Sequence, residues 1–516
     1  MTSFNLASLN TSAQTLVVGE VGIIGQTGSL ITPGATSVTM GDAFLGNWGT
    51  VFSIGTSAVL VAFSGAQIEN YGSMSGEGQA VIDAYGVIGI NIFNLTNYGT
   101  ITAGPNSDSN AYLAQSGGSR ILNHGVMSAT RDSTIEVYAY DGSATTISNT
   151  GTIVGQYQHA IEIFGTGGLS LDNSGEIQGS VQTGSGASTI NNAGQIVGDL
   201  TYGNGGGILI NSGVIQGIVN AGNASSLFAD LRGGSVLGTI YCSFGIDTFL
   251  VDRANIDIDF AGVTDRIKAW CDFALEFGFG TLELQGAALR GAGNDENNTV
   301  SGTGLDNTLT GGLGDDTLNG FSGVDILRGG SGLDSLLGGD DDDQLFGGDG
   351  ADVVFGDFGG DQMRGGTGAD TMTGGSGEDT LQGEAGNDSL IGGDDDDLLI
   401  GGRGRDLLTG GADFDTFQIL RLIDSGTAAA TRDIITDFVT GSDVIDLSRL
   451  DARQGGADDA FVLIGTAVFG NVAGQLRFRV VGANAVVDGD VNGDGVADFS
   501  VQVNGTAVLV AADFIL

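Results

Sequence analysis

A nine-residue repeat constrains the fold of this 516-residue chain more than any other feature. Between Gly311 and Gln418 the pattern Gly-Gly-x-Gly-x-Asp-x-U-x, where U is large and apolar, occurs twelve times in register, as in "GGTGADTMT" from Gly365. The first six residues form a turn, because glycine readily takes positive φ. The x-U-x that follows forms a short strand with U pointing inward. Two repeats complete one coil, so the pattern predicts a parallel β-roll whose coils stack about 4.8 Å apart.

The stacking brings carboxylates close together and therefore predicts bound cations. The net charge is −45, and no basic residues neutralise the repeated aspartates. Calcium accepts six to eight oxygens from carboxylates and backbone carbonyls, whereas magnesium prefers a tight octahedron and keeps its waters. Zinc prefers His and Cys ligands, which the repeats lack. We therefore predict multiple Ca²⁺ ions, with glycine carbonyls completing the sites. The predicted side-chain ligands in the repeats are Asp316, Asp325, Asp334, Asp343, Asp352, Asp361, Asp370, Asp379, Asp388, Asp397, Asp406 and Asp415.

Two further acidic clusters lie beyond the repeats. The stretch "RDIITDFVTGSDVIDLS" directly follows them and carries Asp433, Asp437, Asp443 and Asp446. This cluster is predicted to complete the last site, with Asp437 and Asp443 as its ligands. The stretch "DGDVNGDGVADF" begins like an EF-hand loop but lacks the glutamate at its end, so a calcium site and a plain β-turn both remain open. Its candidate ligands are Asp490, Asn492, Asp494 and Asp498.

The N-terminal half carries a looser repeat of the form Asn-x-Gly-x-Ile/Met-x-Gly/Ala. Asn and Gly together favour a turn, and the x-Ile-x that follows is a short strand with one inward apolar side chain. This pattern predicts a parallel β-helix in which equivalent asparagines form a hydrogen-bonded ladder along the stack. The repeats begin at Asn47 (a weaker copy), Asn70, Asn97, Asn123, Asn149, Asn173, Asn192 and Asn211.

We therefore expect an all-β chain with four segments. Residues 1–254 are predicted to form the parallel β-helix, and residues 255–292 a connector or cap. Residues 293–418 are predicted to form the calcium-binding β-roll, including two degenerate copies from Gly293 and Gly302. Residues 419–516 alternate apolar and polar residues, which is typical of an antiparallel β cap.

These repeats resemble those of the RTX family, the hemolysin-type calcium-binding repeat proteins. Residues 419–516 resemble the C-terminal domain of serralysin-type secreted proteins, through "DIITDFVTGSDVIDLSRLDA", "GDVNGDGVADFSVQVNG" and the terminal "DFIL". The resemblance implies a type I secretion signal in that region and export from a Gram-negative bacterium. The N-terminal half is similar in a general way to β-helical passengers of bacterial surface proteins.

Several classes of function are disfavoured by the sequence. The strong negative charge argues against a nucleic-acid partner, which needs a basic surface. No apolar stretch reaches the roughly 18–20 residues that span a bilayer. The N-terminal residues have no basic segment followed by an apolar run, so we expect export without an N-terminal signal peptide. The serralysin zinc motif H-E-x-x-H is absent, since the only histidines are His124 and His159. Cys242 and Cys271 are compatible with one bridge or two separate thiols.

The sequence favours a non-enzymatic secreted protein of the adhesin, matrix or surface-layer type, exported unfolded and folded by external calcium. Self-assembly and cell-surface polysaccharide are its expected partners, beside calcium and the type I secretion machinery. The alternative is a β-helical polysaccharide-active enzyme, a uronate lyase or epimerase, which needs an acid/base pair in a groove. The best constellation for that alternative is Arg131, Asp132, Glu136, Tyr157, His159 and Glu162.

Overall fold

A computed structural model gives the fold of the chain. It describes residues 118–516 apart from 223–225, 243–244, 255, 260–264 and 454–458. Before residue 118 it describes the strands and their turns, with gaps at 1–3, 7–8, 11–13, 17–20, 25–28, 33–37, 41–42, 54–56, 62–65, 77–79, 85–93, 105–109 and 115–117. The chain divides into two compact units, Met1–Arg266 and Ile267–Leu516.

The first unit is a parallel β-helix built from three columns of stacked strands. The first column contains Phe4–Leu6, Val21–Ile24, Phe44–Asn47, Gln67–Asn70, Asn94–Asn97, Arg120–Asn123, Thr145–Asn149, Leu169–Asn173, Ser188–Asn192, Gly207–Asn211, Leu227–Asp230 and Thr248–Val251. The second contains Leu9–Asn10, Ser29–Thr32, Thr50–Ser53, Ser73–Gly76, Thr100–Ala103, Val126–Ala129, Gln195–Val197, Val214–Ile215 and Ser235–Val236. The third contains Gln14–Leu16, Val38–Met40, Ser57–Val61, Ala80–Ala84, Asn110–Ala114, Ile135–Ala139, Leu200–Thr201, Val219–Asn220, Ile240–Tyr241 and Ile258–Asp259. Two longer strands, Thr152–Gly165 and Glu176–Gln182, pass through both the second and third columns.

The predicted asparagine ladder is confirmed in the first column. Each side-chain Nδ2 donates to the Oδ1 of the equivalent asparagine one coil further on, at 2.7–2.8 Å from Asn47 to Asn211. These asparagines are buried, and so are the apolar residues two positions before them, such as Ile68 and Ile121. The ladder lets a buried amide in every coil find both a donor and an acceptor, which removes the cost of burying an unpaired polar group.

An aromatic stack runs beside this ladder, one residue after each of its first four asparagines. The rings of Trp48, Tyr71, Tyr98 and His124 stack face to face, with centroids 4.7–5.0 Å apart. Because identical turns repeat at strand spacing, residues at one turn position stand directly over one another. The stack covers the outer edge of the turn and adds contacts between coils.

The second unit is a two-column parallel β-roll that continues into a mixed sheet. One column contains Phe279–Leu284, Thr299–Ser301, Thr317–Ser322, Ser335–Asp340, Val353–Phe358, Thr371–Ser376, Ser389–Asp394, Leu407–Gly411, Asp433–Ile435 and Phe499–Val503. The other contains Phe273–Ala274, Arg290–Ala292, Thr308–Leu313, Ile326–Ser331, Gln344–Asp349, Gln362–Thr367, Thr380–Ala385, Leu398–Arg403, Thr416–Gln418, Val444–Asp446 and Phe514–Ile515. The strand Asp265–Ala269 lies at the boundary of the two units.

The inward residue at position U fills the core of the roll. Leu318, Leu336, Val354, Met372 and Leu390 stack along one column and are fully buried. The strands extend on both sides of the repeats: Phe273–Ala274 lies in the stretch expected to be a connector, and Asp433–Ile435 and Val444–Asp446 lie beyond residue 418.

The predicted all-β fold class is confirmed. The antiparallel pairing expected in the C-terminal region is present between Gln475–Val481 and Asn484–Asp490, and between Asn484–Asp490 and Phe499–Val503. A short strand, Val462–Leu463, pairs in parallel with the first of these, and a 3₁₀ helix spans Ala511–Asp513. Among the described residues, no helix is long and apolar enough to cross a membrane.

Candidate calcium sites

The repeat aspartates form two ladders, one in the turns that lead into each column. In every turn the Oδ1 of one aspartate accepts the backbone N–H of the aspartate 18 residues earlier. Asp370 Oδ1, for example, accepts from Asp352 at 2.9 Å, and Asp361 Oδ1 accepts from Asp343 at 2.8 Å. The same bond recurs from Asp316 to Asp406 in one ladder and from Asp325 to Asp415 in the other. One carboxylate oxygen of each aspartate is therefore used to hold adjacent coils in register.

In all of the repeat aspartates but the last, Asp415, the second carboxylate oxygen has no hydrogen-bond partner within the described part of the chain. The Oδ2 atoms from Asp316 to Asp406 are buried and unpaired, and the residues themselves are at most 2 % exposed. A buried carboxylate oxygen without a partner is costly, and such atoms are rare in folded proteins. A row of them at equal spacing indicates that something outside the chain completes them.

The first glycine of each repeat leaves the space that these oxygens face. A Cβ built on Gly365 would lie 2.3 Å from Asp370 Oδ2 and 2.9 Å from the carbonyl oxygen of Gly383 in the next coil. The same two neighbours recur at Gly311, where the distances are 2.2 and 2.6 Å, and at Gly329, Gly347, Gly374 and Gly392. A carboxylate oxygen and a backbone carbonyl thus converge on one spot, and a side chain there would fill it. This donor set fits a hard cation that prefers oxygen ligands.

Burial disfavours the ionised form of the aspartates when no cation is bound. Desolvation raises the pKa of Asp370 to about 6, of Asp361 to about 7 and of Asp397 to about 8. Neighbouring carboxylates, such as Asp379 beside Asp361, raise it further. A divalent cation favours the charged form and removes this penalty.

Two aspartates beyond the repeats extend the ladders. Asp443 Oδ1 accepts the N–H of Asp415 at 3.2 Å, and its Oδ2 accepts from Val439 at 2.7 Å. Asp433, which the repeat pattern does not predict, accepts the N–H of Asp406 at 3.0 Å and is itself buried. Its spacing from Asp406 is 27 residues, so the period of the repeats does not identify it as a ladder member. The remaining signal in the sequence is an aspartate directly before a short apolar strand. Asp437 binds the N–H groups of Gly410 and Gly411 with its two oxygens, at 3.0 and 2.9 Å.

The EF-hand-like loop is held by its own hydrogen bonds. Asp490 accepts the N–H groups of Gly493 and Gly495 with its two oxygens. Asp498 Oδ2 accepts the N–H groups of Val491 and Asn492, and its Oδ1 accepts from the Asn492 side chain at 2.9 Å. Asp494 Oδ1 accepts from Val496. The loop differs from the roll because both oxygens of its buried aspartate, Asp490, already have partners. Calcium binding by these four residues stays a prediction, as does each individual ligand in the roll.

The constellation considered for an enzyme is only partly brought together. Glu136 and Glu162 stand opposite each other on neighbouring strands. Glu162 Oε2 accepts the Ser133 hydroxyl at 2.6 Å and lies 3.3 Å from His159 Nδ1, and this contact raises the pKa of His159. Arg131 and Tyr157 are exposed. The Glu162 carboxylate therefore already has partners within the chain, and such contacts stabilise a fold whether or not the residue has a catalytic role.

The fold and these turns define the class of protein: a β-roll that binds calcium between stacked glycine-aspartate turns. The comparisons with known families agree. Residues 292–327, 301–336, 319–354 and 328–363 match the RTX calcium-binding nonapeptide repeat, and residues 369–516 match the Peptidase M10 serralysin C terminal. The chain thus carries RTX repeats, which bind multiple Ca²⁺ ions, followed by a serralysin C-terminal domain. Both modules are typical of secreted proteins, and the resemblance to these two families is confirmed.

Two solved structures are similar in sequence to part of the chain. They are the R3 and R2 subunits of AlgE6, a mannuronan C5-epimerase from Azotobacter vinelandii. The R3 subunit is 25% identical, with 34% of this chain and 78% of that chain covered and a TM-score of 0.17. The R2 subunit is 26% identical, with 35% and 91% covered and a TM-score of 0.19. TM-scores this low support no structural argument. No curated protein matches this chain.

Proposed function

We propose that this protein is a structural component of the bacterial cell surface or extracellular matrix, exported unfolded by a type I system and folded outside the cell by calcium. The observation that carries the proposal is the row of buried Oδ2 atoms without hydrogen-bond partners, from Asp316 to Asp406. A chain that folds in this way needs an external cation to complete its native state.

The charge of the roll explains how export and folding are linked. At low calcium the aspartates repel one another and lose hydration when buried, so the roll is unstable. Extracellular calcium modules bind their ions at roughly 10⁻⁴–10⁻³ M, which keeps such sites empty in the cytosol. Outside the cell, calcium binds only the folded turns, so its binding free energy adds to the stability of the fold.

A structural role for the β-helix is supported by the side-chain contacts that its turns make between coils. The asparagine ladder and the aromatic stack of Trp48, Tyr71, Tyr98 and His124 join one coil to the next. Among described residues 118–254, basic side chains are few: Arg120, Arg232 and Arg253 beside the exposed Arg131. A groove that binds uronates needs more positive charge than this.

Circular dichroism of the full chain with calcium and with EDTA tests the folding part of the proposal. We expect β-structure to rise when calcium is added. Equal β-content in EDTA at neutral pH would contradict it. Electron microscopy in calcium then tests the structural role. An assembling surface protein should form sheets or filaments. A chain that stays monomeric both in calcium and in the presence of polysaccharide would contradict this role.

The enzyme alternative rests on the pairing of Glu136 and Glu162 across neighbouring strands, with His159 beside Glu162. Incubation with alginate or pectin, followed by the ultraviolet absorbance of unsaturated uronates and by NMR for epimerisation, tests it. Activity that is lost in His159→Ala would replace the structural proposal with the enzymatic one.

A further inference from the structure

A second kind of metal-ligand cluster lies in the first unit, outside the recognised repeats. Ligand atoms of Cys242, Asp247 and Asp265 all lie within 4.8 Å of one another. Both aspartates are fully buried, and Cys242 is partly exposed. Neither Cys242 nor Cys271 forms a disulfide.

The two aspartates repeat the hydrogen bonding of the roll. Asp265 Oδ1 accepts the N–H of Asp247 at 2.9 Å across the same spacing of 18 residues. Asp247 Oδ1 in turn accepts the N–H of Leu227 at 2.6 Å. The Oδ2 atom of Asp265 is buried and has no hydrogen-bond partner among the residues that the structure describes, just like the Oδ2 atoms of the roll. This atom points to a ligand that the described residues do not supply.

The cluster differs from a roll site at one position. Cys242 precedes Asp247 by five residues, the spacing that separates Gly365 from Asp370 in a repeat. In the roll the first glycine leaves open the spot where a carboxylate oxygen and a carbonyl converge. Here a thiol stands at the equivalent sequence position and reaches both carboxylates.

Hydrogen bonding within the cluster leaves it incomplete. The Cys242 thiol interacts with Asp247, and burial together with the two neighbouring carboxylates raises its pKa. Burial also raises the pKa of Asp265 to about 7. A thiol has a single proton, so a thiol that donates to Asp247 cannot also donate a hydrogen bond to Asp265 Oδ2. One cation, by contrast, contacts all three groups at once.

We propose that Cys242, Asp247 and Asp265 form a zinc site that is distinct from the calcium sites of the roll. Zinc accepts thiolate and carboxylate ligands in a four-coordinate shell, and three protein ligands leave one position for water. Binding releases the thiol proton to the solvent, so that two carboxylates and one thiolate face the cation. Calcium takes six to eight oxygen ligands and gains little from sulfur, whereas thiolate selects softer metals.

The test uses the full chain in excess calcium, which fills the roll and leaves the thiol site for zinc. We expect one equivalent of zinc to bind, as measured by isothermal titration calorimetry. Cys242→Ser and Asp265→Asn should weaken zinc binding at least about tenfold. Cys271→Ser is the matched control, because it removes the other thiol, and it should bind zinc like the unaltered chain.

Cobalt(II) gives a second readout that needs no variant. In the unaltered chain in excess calcium, cobalt bound through Cys242 gives a thiolate-to-metal charge-transfer absorption in the near ultraviolet. An absent charge-transfer band, no zinc binding in calcium, or equal zinc affinity in the folded Cys242→Ser chain would each overturn the proposal. Loss of the band in Cys271→Ser with its retention in Cys242→Ser would also overturn it.

Discussion

Each repeat aspartate divides its two oxygens between two tasks. Oδ1 holds the N–H of the aspartate one coil earlier, while Oδ2 faces the spot left by the first glycine of the repeat. The second task depends on the glycine, because a Cβ at that position would occupy the spot that Oδ2 faces. This pairing makes glycine and aspartate substitutions sharp tests of the sites.

Gly365→Ala should destabilise the calcium-bound roll. The new Cβ would lie 2.3 Å from Asp370 Oδ2, which displaces the oxygen that faces the cation. We expect a loss of about 1–3 kcal/mol in the free energy of unfolding in calcium, the usual cost of overpacking. Urea unfolding followed by circular dichroism measures it.

Gly304→Ala is the control for this change, because a Cβ at Gly304 has no atom within 4 Å among the described residues. It should change the free energy of unfolding by no more than about 0.5 kcal/mol. Equal losses of unfolding free energy for the two variants would show that the general difference between glycine and alanine, and not the oxygen site, governs the effect.

Phe321→Gly should stabilise the roll. Phe321 occupies the second repeat position with φ at +82°, where most other copies have glycine, and its side chain is 50% exposed. A non-glycine residue in the left-handed region costs about 1–2 kcal/mol. The added flexibility of glycine in the unfolded chain offsets part of this, so we expect a gain of about 1 kcal/mol in the free energy of unfolding.

Phe358→Gly is the matched control for Phe321. Phe358 is also exposed, but it is not among the residues with positive φ. Its replacement should destabilise the strand by about 0.5–1 kcal/mol, a change of opposite sign. If both variants lose stability in urea unfolding with calcium present, the positive φ of Phe321 does not cost the folded roll the expected free energy.

At the scale of whole elements, the β-helix depends on a ladder that contains no charge. Asn192 accepts from Asn173 at 2.7 Å and donates to Asn211 at 2.8 Å, and it is buried. Asn192→Ala removes one acceptor of the Asn173 amide and the side-chain donor to Asn211 Oδ1. Leaving a buried polar atom without its partner costs about 1–3 kcal/mol. Thermal unfolding in calcium should therefore show an earlier transition for this variant.

The neighbouring Asn191 provides the control. Its side chain points the other way and binds Asp172 at 2.7 Å in an exposed contact. Asn191→Ala should stay within about 0.5 kcal/mol of the unaltered chain. Similar losses at the two adjacent positions would contradict a special role for the ladder.

The elements that carry a recurring turn motif were predictable from the sequence, and the pairing of those without the motif was not. The repeats from Gly311 and the asparagines from Asn47 to Asn211 mark their own strands and their partners, because equal turns stack. Asp433 belongs to the acidic cluster that the sequence predicts to complete the last site, but its pairing with Asp406 was not predictable, because 27 residues separate the two instead of the 18 of the repeats. Alternating apolar residues predict that Asp433–Ile435 is a strand, but they carry no information about which distant strand it pairs with.

The site in the first unit was missed for a related reason. Asp247 and Asp265 keep the 18-residue interval, yet Cys242 stands where the repeat has glycine, so the pattern is no longer visible as a repeat. The contact among the three side chains depends on how coils of unequal length stack, which the sequence pattern does not fix.

At the scale of the whole molecule, protons and calcium compete for the roll. Burial raises the pKa of Asp370 to about 6 and of Asp397 to about 8, so the metal-free folded state holds protons that the unfolded chain releases. Stability from this source is fully present below the ordinary aspartate pKa of about 4 and is lost as the pH rises through the folded values.

In EDTA, the urea midpoint of the roll should therefore be higher at pH 5 than at pH 8. In calcium the order should reverse, because calcium needs deprotonated carboxylates. Circular dichroism during urea titration at the two pH values gives the midpoints in calcium, and in EDTA it also shows whether the roll is already unfolded before urea is added. A metal-free roll that becomes more stable between pH 5 and pH 8 would contradict the burial of these carboxylates.

Hydrogen–deuterium exchange of the full chain at neutral pH shows whether calcium folds the roll, because it follows the two units separately in one sample. In EDTA, amides of the roll strands from Thr308–Leu313 to Leu407–Gly411 should exchange rapidly, while those of the asparagine-ladder strands from Arg120–Asn123 to Gly207–Asn211 stay protected. Calcium at about 1–10 mM, above the affinity of extracellular modules, should protect the roll amides and leave the ladder strands unchanged. Roll amides that are equally protected in EDTA and in calcium would contradict the claim that calcium folds this protein.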